Sequence, residues 1–461
     1  MEELENRIQQ FEYVEKLVDF IQSLRYEDLP TEAVEFAQIF IMDTLAVGIA
    51  GTTYDATDSA LAAAKKWGQG DYRVIGRPGL ELPRTSAAFV NGMQIHALEW
   101  DALHEPSVVI AMCAPISAFA AEIESGQVSG KQLILATVIA IEIAVFFGGD
   151  TTNGPRFFRP AVAGGMGAVV GLSILRGFDR EQIVSTLGLA HAQTSGTMQA
   201  HWEGSMALPM QIGNTARMAQ AVADMVEAGM TGPVDIIAGR FGFFKLFESA
   251  NDLNGMLQSL GEPFKITEMA HKPFPAGRAT QAVLTMIRQL RQEHQFAIED
   301  IERIQVFAPP LSIFLVGRPP SPDMTPSYAR LCLRFVAPLM LIEGDIDPRR
   351  YTSESFADTT ICDLGARLEI CPDGNQDKNA LGPQTMKIYI NDGRTLEAEC
   401  TDPLGSPANP LSKQQREDKV RRCFALGQQQ TGVQGDAESF IDCCNHLEEL
   451  SDASALLGML N

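Results

Sequence analysis

The feature that most restricts this chain is a string of helical apolar segments through its first half, with no strand-like alternation of comparable strength between them. Apolar residues recur at three- and four-residue intervals through residues 34–50, 85–97, 109–123, 131–147, 161–175, 180–191 and 214–227. Gly51 and Gly177 stand where two of these helices should stop. The pattern predicts an all-α unit and argues against a doubly wound parallel sheet, in which strands alternate with helices. Gly164-Gly-Met-Gly167 does not reopen a dinucleotide-binding reading. No strand precedes it and its spacing is not G-x-G-x-x-G, so close helix packing explains it better. Neither a G-x-S-x-G elbow nor a P-loop is present.

The texture changes after Pro263. Residues 301–308 are rich in β-formers, 366–371 form a short β-like run, and 386–399 alternate around Asn391-Asp392-Gly393, a strong hairpin signal. Helical stretches intervene at 280–293, 329–343 and 355–363. After Pro410, Ser412 opens a helix over 413–426. A chain of 461 residues exceeds the ~250–300 at which one core stops growing. The expected fold is therefore mainly α: a large all-α domain over 1–264 with 410–461, and a smaller α+β domain over 265–409.

Charge narrows the partners. Against 58 acidic residues stand 36 Lys and Arg, a net charge of −22. That balance disfavours nucleic acid and anionic membrane surfaces, both of which select clustered cations. A small anionic substrate requires local cations working against the global field. The apolar run 133–147 carries Glu142 and reads as a buried helix shorter than a membrane span. The opening MEELENRIQQ is acidic and amphipathic, unlike a signal or transit peptide. Eight scattered cysteines without a C-x-x-C pair read as reduced thiols of a cytoplasmic protein. Cys443, Cys444 and His446 come nearest to a metal cluster and read as packing residues, so no metal is expected.

Four segments carry a resemblance. They are Ile41-Met-Asp-Thr-Leu-Ala-Val-Gly-Ile-Ala-Gly51, the stretch from Ala88 through Asn91-Gly92 to His96-Ala-Leu-Glu-Trp-Asp-Ala-Leu-His104, the region 188–233, and His271-Lys-Pro-Phe-Pro-Ala-Gly-Arg278. Within 188–233, Gln193-Thr-Ser-Gly196, Glu203-Gly-Ser205, Gly213-Asn-Thr-Ala216 and Gly229-Met-Thr-Gly-Pro233 follow in order. Together they resemble the MmgE/PrpD family, which includes 2-methylcitrate dehydratase, cis-aconitate decarboxylase and iminodisuccinate epimerase. The resemblance implies a helical domain with an α+β lid, an active site in the cleft between them, a homodimer, and chemistry beside a carboxylate without metal or organic cofactor.

The sequence departs from the family at chemically important positions. An ungapped placement puts Ile110-Ala-Met112 where the family has His-Pro-Ser, and Arg159-Pro-Ala161 at its His-Pro-Thr. Leu208 stands at a Lys position, Gln211 at a nearby His, Thr280-Gln281 at a Thr-His, and Phe335 at a Tyr. Glu99 replaces an Asp, while Asp101 and Lys272 are retained. A gapped placement would instead let His104-Glu-Pro-Ser107 serve as the His-Pro-Ser element. Replacing cations and a phenol by hydrocarbon removes charge-assisted hydrogen bonds of about 1.5–3 kcal/mol each. A citrate-like triacid would then be poorly held, and a larger, less charged substrate better accommodated.

The expected catalytic set is His104, Asp101, Lys272 and Glu99, with His104 as acid or base oriented by Asp101. The expected substrate contacts are Arg159, Arg278, Ile110, Trp202, Glu203, Leu208, Gln211 and Phe335. His96, inside a helix, reads as a satisfied core histidine. These residues point to a cofactor-free lyase or isomerase acting next to a carboxylate or activated carbonyl. One alternative is a cyclase or isomerase that folds a hydrophobic intermediate by shape and proximity. Another is a non-catalytic paralogue that binds a ligand or partner.

Overall fold

A computed structural model describes residues 2–149, 154–248, 250 and 252–461, with side chains from Glu12 onward. The first half folds as the helical periodicity requires. Helices run over Thr31–Ala50, Arg84–His96, Cys113–Ile123, Gly130–Gly148, Arg159–Leu175, Arg180–Gln193 and Ala207–Glu227, preceded by Glu2–Ser23. Gly130–Gly148 packs along Arg159–Leu175, and Arg84–His96 along Ala207–Glu227. The second pair crosses at Gly92 and Gly213, where a Cβ on Gly92 would sit 2.8 Å from the Gly213 Cα. Backbone contact this close explains both glycines of the Asn-Gly and Gly-Asn-Thr-Ala motifs. The expected helix over 109–123 starts only at Cys113, because Val109 exchanges backbone hydrogen bonds with His104.

Two helices, Thr31–Ala50 with its 3₁₀ extension and Gly130–Gly148, are long and apolar enough to cross a membrane, and both are mostly buried in this helical core. The second outruns the segment expected from sequence. Its Glu142 accepts hydrogen bonds from the backbone N–H groups of Gly261 and Lys265, satisfying the charge-bearing residue within the protein.

The chain after Phe274 builds a second, smaller core. Strand β1 (Tyr72–Arg73) pairs with β2 (Glu81–Leu82), and β3 (Leu103–His104) with β4 (Met269–Ala270). Strands β5 (Ile301–Ala308), β6 (Leu368–Pro372), β7 (Gln384–Ile390) and β8 (Thr395–Cys400) form a sheet in the order β6-β5-β7-β8. Only β5–β6 is parallel. The β7–β8 hairpin turns at Asn391–Arg394 with Gly393 at φ 92°, the conformation for which glycine is suited. Helices Gln281–Glu293 and Leu333–Glu343 pack against each other, and the former also covers β7 and β8. The expected helix over 329–343 breaks into Pro326–Ala329 and Leu333–Glu343, and that over 355–363 into Ser353–Phe356 and Thr359–Ala366. Helices Lys413–Thr431 and Ala437–Asn445 return to the large core through Val420, Cys423 and Phe440. All eight cysteines are free thiols.

Candidate active site

The two-stranded β3–β4 sheet assembles the candidate site. Antiparallel pairing of Leu103 with Ala270 and His104 with Met269 lays the segment after helix Arg84–His96 beside the start of the α+β domain. Lys272 thereby reaches Glu99, 173 residues away, with Nζ 3.0 Å from Oε2 and 3.5 Å from Asp101 Oδ1. His96, the last residue of its helix, completes a buried quartet. Its Nδ1 lies 2.8 Å from Asp101 Oδ2 and its Nε2 3.5 Å from Glu99 Oε1. The turn carrying the carboxylates is strained, with Glu99 at φ 53°. It is held from behind by Lys419, which donates to the Trp100 carbonyl at 2.9 Å and pairs with Asp43 at 2.7 Å. The Trp100 indole donates to the Pro273 carbonyl at 3.1 Å. Gln281 braces the prolines, donating to the carbonyls of Phe274 and Ala276.

Burial opposes every charge in the quartet, yet the partners outweigh it. Lys272 and His96 pull the Glu99 pKa below the ordinary carboxylate range, and His96 and Lys272 do the same for Asp101. Glu99 and Asp101 raise the Lys272 pKa, and Asp101 with Glu99 raises that of His96. Lys272 and His96 thus face the two carboxylates away from water, and each partner favours the other's charged form.

Glu99 and Lys272 face a narrow cleft between the two cores, with a volume of about 80 Å³. Its walls are largely hydrocarbon: Leu103, Val108, Ile110, Phe157, Phe158 and Met198 from one side, and Leu315, Val316, Leu331 and Leu381 from the other. Val108 is held at φ 54° on the short loop that also carries Ile110. Arg159, Arg278 and His201 supply the remaining polar surface. Arg159 donates to Glu248 at 2.8 Å and to Asn379 at 3.2 Å. Arg278 donates to Glu105 at 2.7 Å and to the His271 carbonyl at 3.3 Å. Each cation in the cleft therefore already holds a carboxylate. Among the described residues, no group of three or more His, Cys, Asp or Glu side chains is placed to hold a metal ion.

Several expected residues lie elsewhere. His104 points away from the cleft into a separate pocket with Glu142, Lys265 and Glu268. Its Nδ1 accepts from the Ser107 N–H at 3.3 Å and lies 2.8 Å from Ser107 Oγ, while Nε2 lies 3.0 Å from Glu268 Oε2. Strand alternation is the reason: Leu103 takes the cleft face and His104 the opposite one. His104 is therefore not oriented by Asp101, which pairs with His96 instead. Asp101 itself sits behind Glu99 and Lys272 and does not line the cleft. Trp202 is 58% exposed and stacks on Phe314, and Glu203 is exposed and bonded to Gln199. The short helix Met198–Glu203 turns Met198 and His201 inward, which places Trp202 and Glu203 outward. Leu208 is buried in the large core, and Gln211 accepts from the Thr197 N–H at 2.6 Å. Phe335 packs on Tyr351 and Phe356 inside the smaller core. None of these three lines the cleft.

Within the stretch His201-Trp202-Glu203 the sequence pointed to Trp202 and Glu203 rather than His201, although the i, i+3 spacing of His201 from Met198 was an available signal. The His201 ring and main chain are gripped from across the cleft: Arg318 donates to His201 Nδ1 at 3.2 Å and to the His201 carbonyl at 3.0 Å. Burial, reinforced by Arg318, lowers the His201 pKa to about 4.

Comparison with known proteins agrees with this two-core arrangement. The MmgE/PrpD N-terminal domain model matches residues 15–284, and the MmgE/PrpD C-terminal domain model residues 274–442. The chain belongs to the MmgE/PrpD family. The two models meet near the 270–274 break between the cores. The C-terminal model also takes in helix Lys413–Thr431, which packs on the large core. Curated MmgE/PrpD relatives align along nearly the whole chain. Cis-aconitate decarboxylase of Mus musculus is 26% identical over 97% of this chain and 93% of its own length. The Homo sapiens enzyme of that name is 26% identical over 97% and 94%, and that of Aspergillus terreus 22% over 97% and 95%.

Proposed function

We propose that this family member is a cofactor-free lyase acting on the carbon next to a carboxylate or activated carbonyl, and that its substrate is larger and less charged than citrate-like acids. The similarity to cis-aconitate decarboxylases supports the reaction class. The observation that carries the substrate class is the state of the cleft cations. Arg159, Lys272 and Arg278 are each engaged by Glu248, Glu99 or Glu105, and the surface between them is hydrocarbon. A triacid would have to displace several internal pairs at once, whereas a single anionic group need only share one.

Elimination and decarboxylation beside an acidic group share an electron pair that builds on carbon and spreads onto a carbonyl oxygen. Lys272, charged and fixed, is suited to hold that oxygen. Glu99 is the base facing the cleft. Its low pKa depends first on Lys272, so a substrate anion that shares Lys272 makes Glu99 more basic as it binds. Deuterium uptake next to the carboxyl group, followed by NMR across a panel of unsaturated and β-oxo acids in D2O, tests this role. Wild type should exchange at least one monoacid, and Glu99→Gln should slow that exchange about 100-fold or more. Unchanged exchange in Glu99→Gln would remove Glu99 as the base. The hydrocarbon walls also favour a second reading, a cyclase or isomerase of a hydrophobic intermediate that works by shape; rearrangement without deuterium uptake is its signature. A homodimer is proposed as well, supported by exposed Trp202, Met206, Met210 and Phe314, and sedimentation checks it.

A further inference from the structure

We infer that His201 is a further catalytic residue, a neutral imidazole whose Nε2–H donates a hydrogen bond to the substrate oxygen on which negative charge builds, with Arg318 as the positioning residue that fixes the ring. The inference rests on the lyase reading above. Its physical basis is the direction of each hydrogen bond around the ring.

Arg318 cannot act as an acceptor, because its guanidinium carries only donors. His201 Nδ1, 3.2 Å from Arg318 Nη2, must therefore present its lone pair, and the ring proton sits on Nε2. A second bond, from Nη1 to the His201 carbonyl, ties side chain and main chain to the same guanidinium. Arg318 is itself fixed by a bond to the Leu315 carbonyl at 3.1 Å and by the Tyr328 ring 4.7 Å away. Among the described residues the ring's hydrogen bond is made at Nδ1, and the ring lines the same cleft as Glu99 and Lys272.

Burial disfavours the imidazolium, and Arg318 and His96 press in the same direction, against Glu99 alone. The ring thus stays neutral through the physiological range. It is a poor proton source but a steady donor, and a fixed donor aimed at developing charge stabilises it without reorganising. Lys272 enters from the 271–278 segment and His201 from helix Met198–Glu203, so the two donors reach the cleft from different elements.

Two measurements on the full chain test this. Long-range proton–nitrogen NMR of histidine-labelled protein should show the His201 ring, assigned by its absence in His201→Phe, neutral with its proton on Nε2 at pH 5.5, where an ordinary imidazole is charged. Arg318→Met should release the tautomer and raise that ring's pKa, and Arg318→Lys should largely restore it. A His201 that titrates near 6.5, or carries its proton on Nδ1, would overturn the inference. The second probe is 3-nitropropionate, whose nitronate carries charge where the enolate would. Wild type should bind the nitronate more tightly than the nitroalkane acid. His201→Phe should reduce that preference about tenfold or more, and His201→Gln, whose amide can still donate, should keep most of it. No preference in wild type, or an unchanged one in His201→Phe, would contradict the role. Failure of the lyase reading appears separately, as absence of turnover with every acid while the tautomer behaves as described.

Discussion

Two buried carboxylate sites flank the loop that follows Glu99, and they behave in opposite ways. On the cleft side, Glu99 and Asp101 sit among Lys272 and His96, and their pKa values fall despite burial. On the far side, Glu142 is equally removed from water but is met mainly by backbone N–H groups, and burial raises its pKa to about 7. Burial alone therefore decides neither charge. Lys272 and His96 together overcome desolvation at Glu99 and Asp101, whereas two amides offset only part of it at Glu142, as the single Lys419 does at Asp43. The contrast separates a charged cleft floor from a second carboxylate pocket behind the same loop.

The largest expected effect comes from removing one cation of the floor. Lys272→Met leaves Glu99 and Asp101 facing only His96, and should cost about 3–5 kcal/mol in chemical denaturation as well as all turnover. Loss of turnover without loss of stability would mean that the quartet is less tightly coupled than its distances indicate.

The pH dependence of stability comes next. Glu142 has a folded-state pKa above its unfolded value of 4.5, so its contribution is fully present below 4.5 and is lost as pH rises toward about 7. That shift corresponds to about 3 kcal/mol. Glu99 and Asp101 have the opposite sign: their contribution is present above the unfolded carboxylate values and is lost only as pH falls through their lowered ones. Between pH 5 and 7 the Glu142 contribution should therefore fall, against the opposite trend of His201 and His271, whose lowered pKa values add stability as pH rises. Glu142→Gln should accordingly gain stability relative to wild type as pH rises from 5 to 7, and parallel curves for the two proteins would remove Glu142 as the source.

The smallest effect is expected at His104, which belongs to the structural pocket. His104→Ala removes the bonds to Ser107 and Glu268 that hold the loop from behind, and should cost about 1–2 kcal/mol in thermal unfolding. Turnover should fall less than tenfold. A loss of 1000-fold would place His104 in the chemistry and erase the distinction between the two sites.

The sequence was legible where its signals are local. Helical period marked the buried helices, and Asn391-Asp392-Gly393 marked the hairpin, because each is written in adjacent residues. The candidate site depends on what adjacency does not encode. Strands β3 and β4 are two residues each, too short to show alternation, yet their pairing brings Lys272 to Glu99. That same pairing decides that Leu103 faces the cleft and His104 faces away. His96 is buried and bonded through Nδ1 to Asp101, the carboxylate that had been expected to orient His104, while its Nε2 has no hydrogen-bond partner among the described residues. Leu208, Gln211 and Phe335 were reached by counting along family motifs, and counting does not reveal which way a helix turns its faces. Trp202 was expected to touch substrate, while the inward residue of the same short helix was its neighbour His201.

The central claim is that paired cations and hydrocarbon walls fit this cleft to a large acid of low charge. Calorimetric titration of wild type with cis-aconitate and with trans-2-octenoate, under the same buffer and salt, tests it most directly. The account predicts that the octenoate binds at least tenfold more tightly, since one carboxylate shares one internal pair and the chain covers the apolar wall. Tighter binding of cis-aconitate would contradict it.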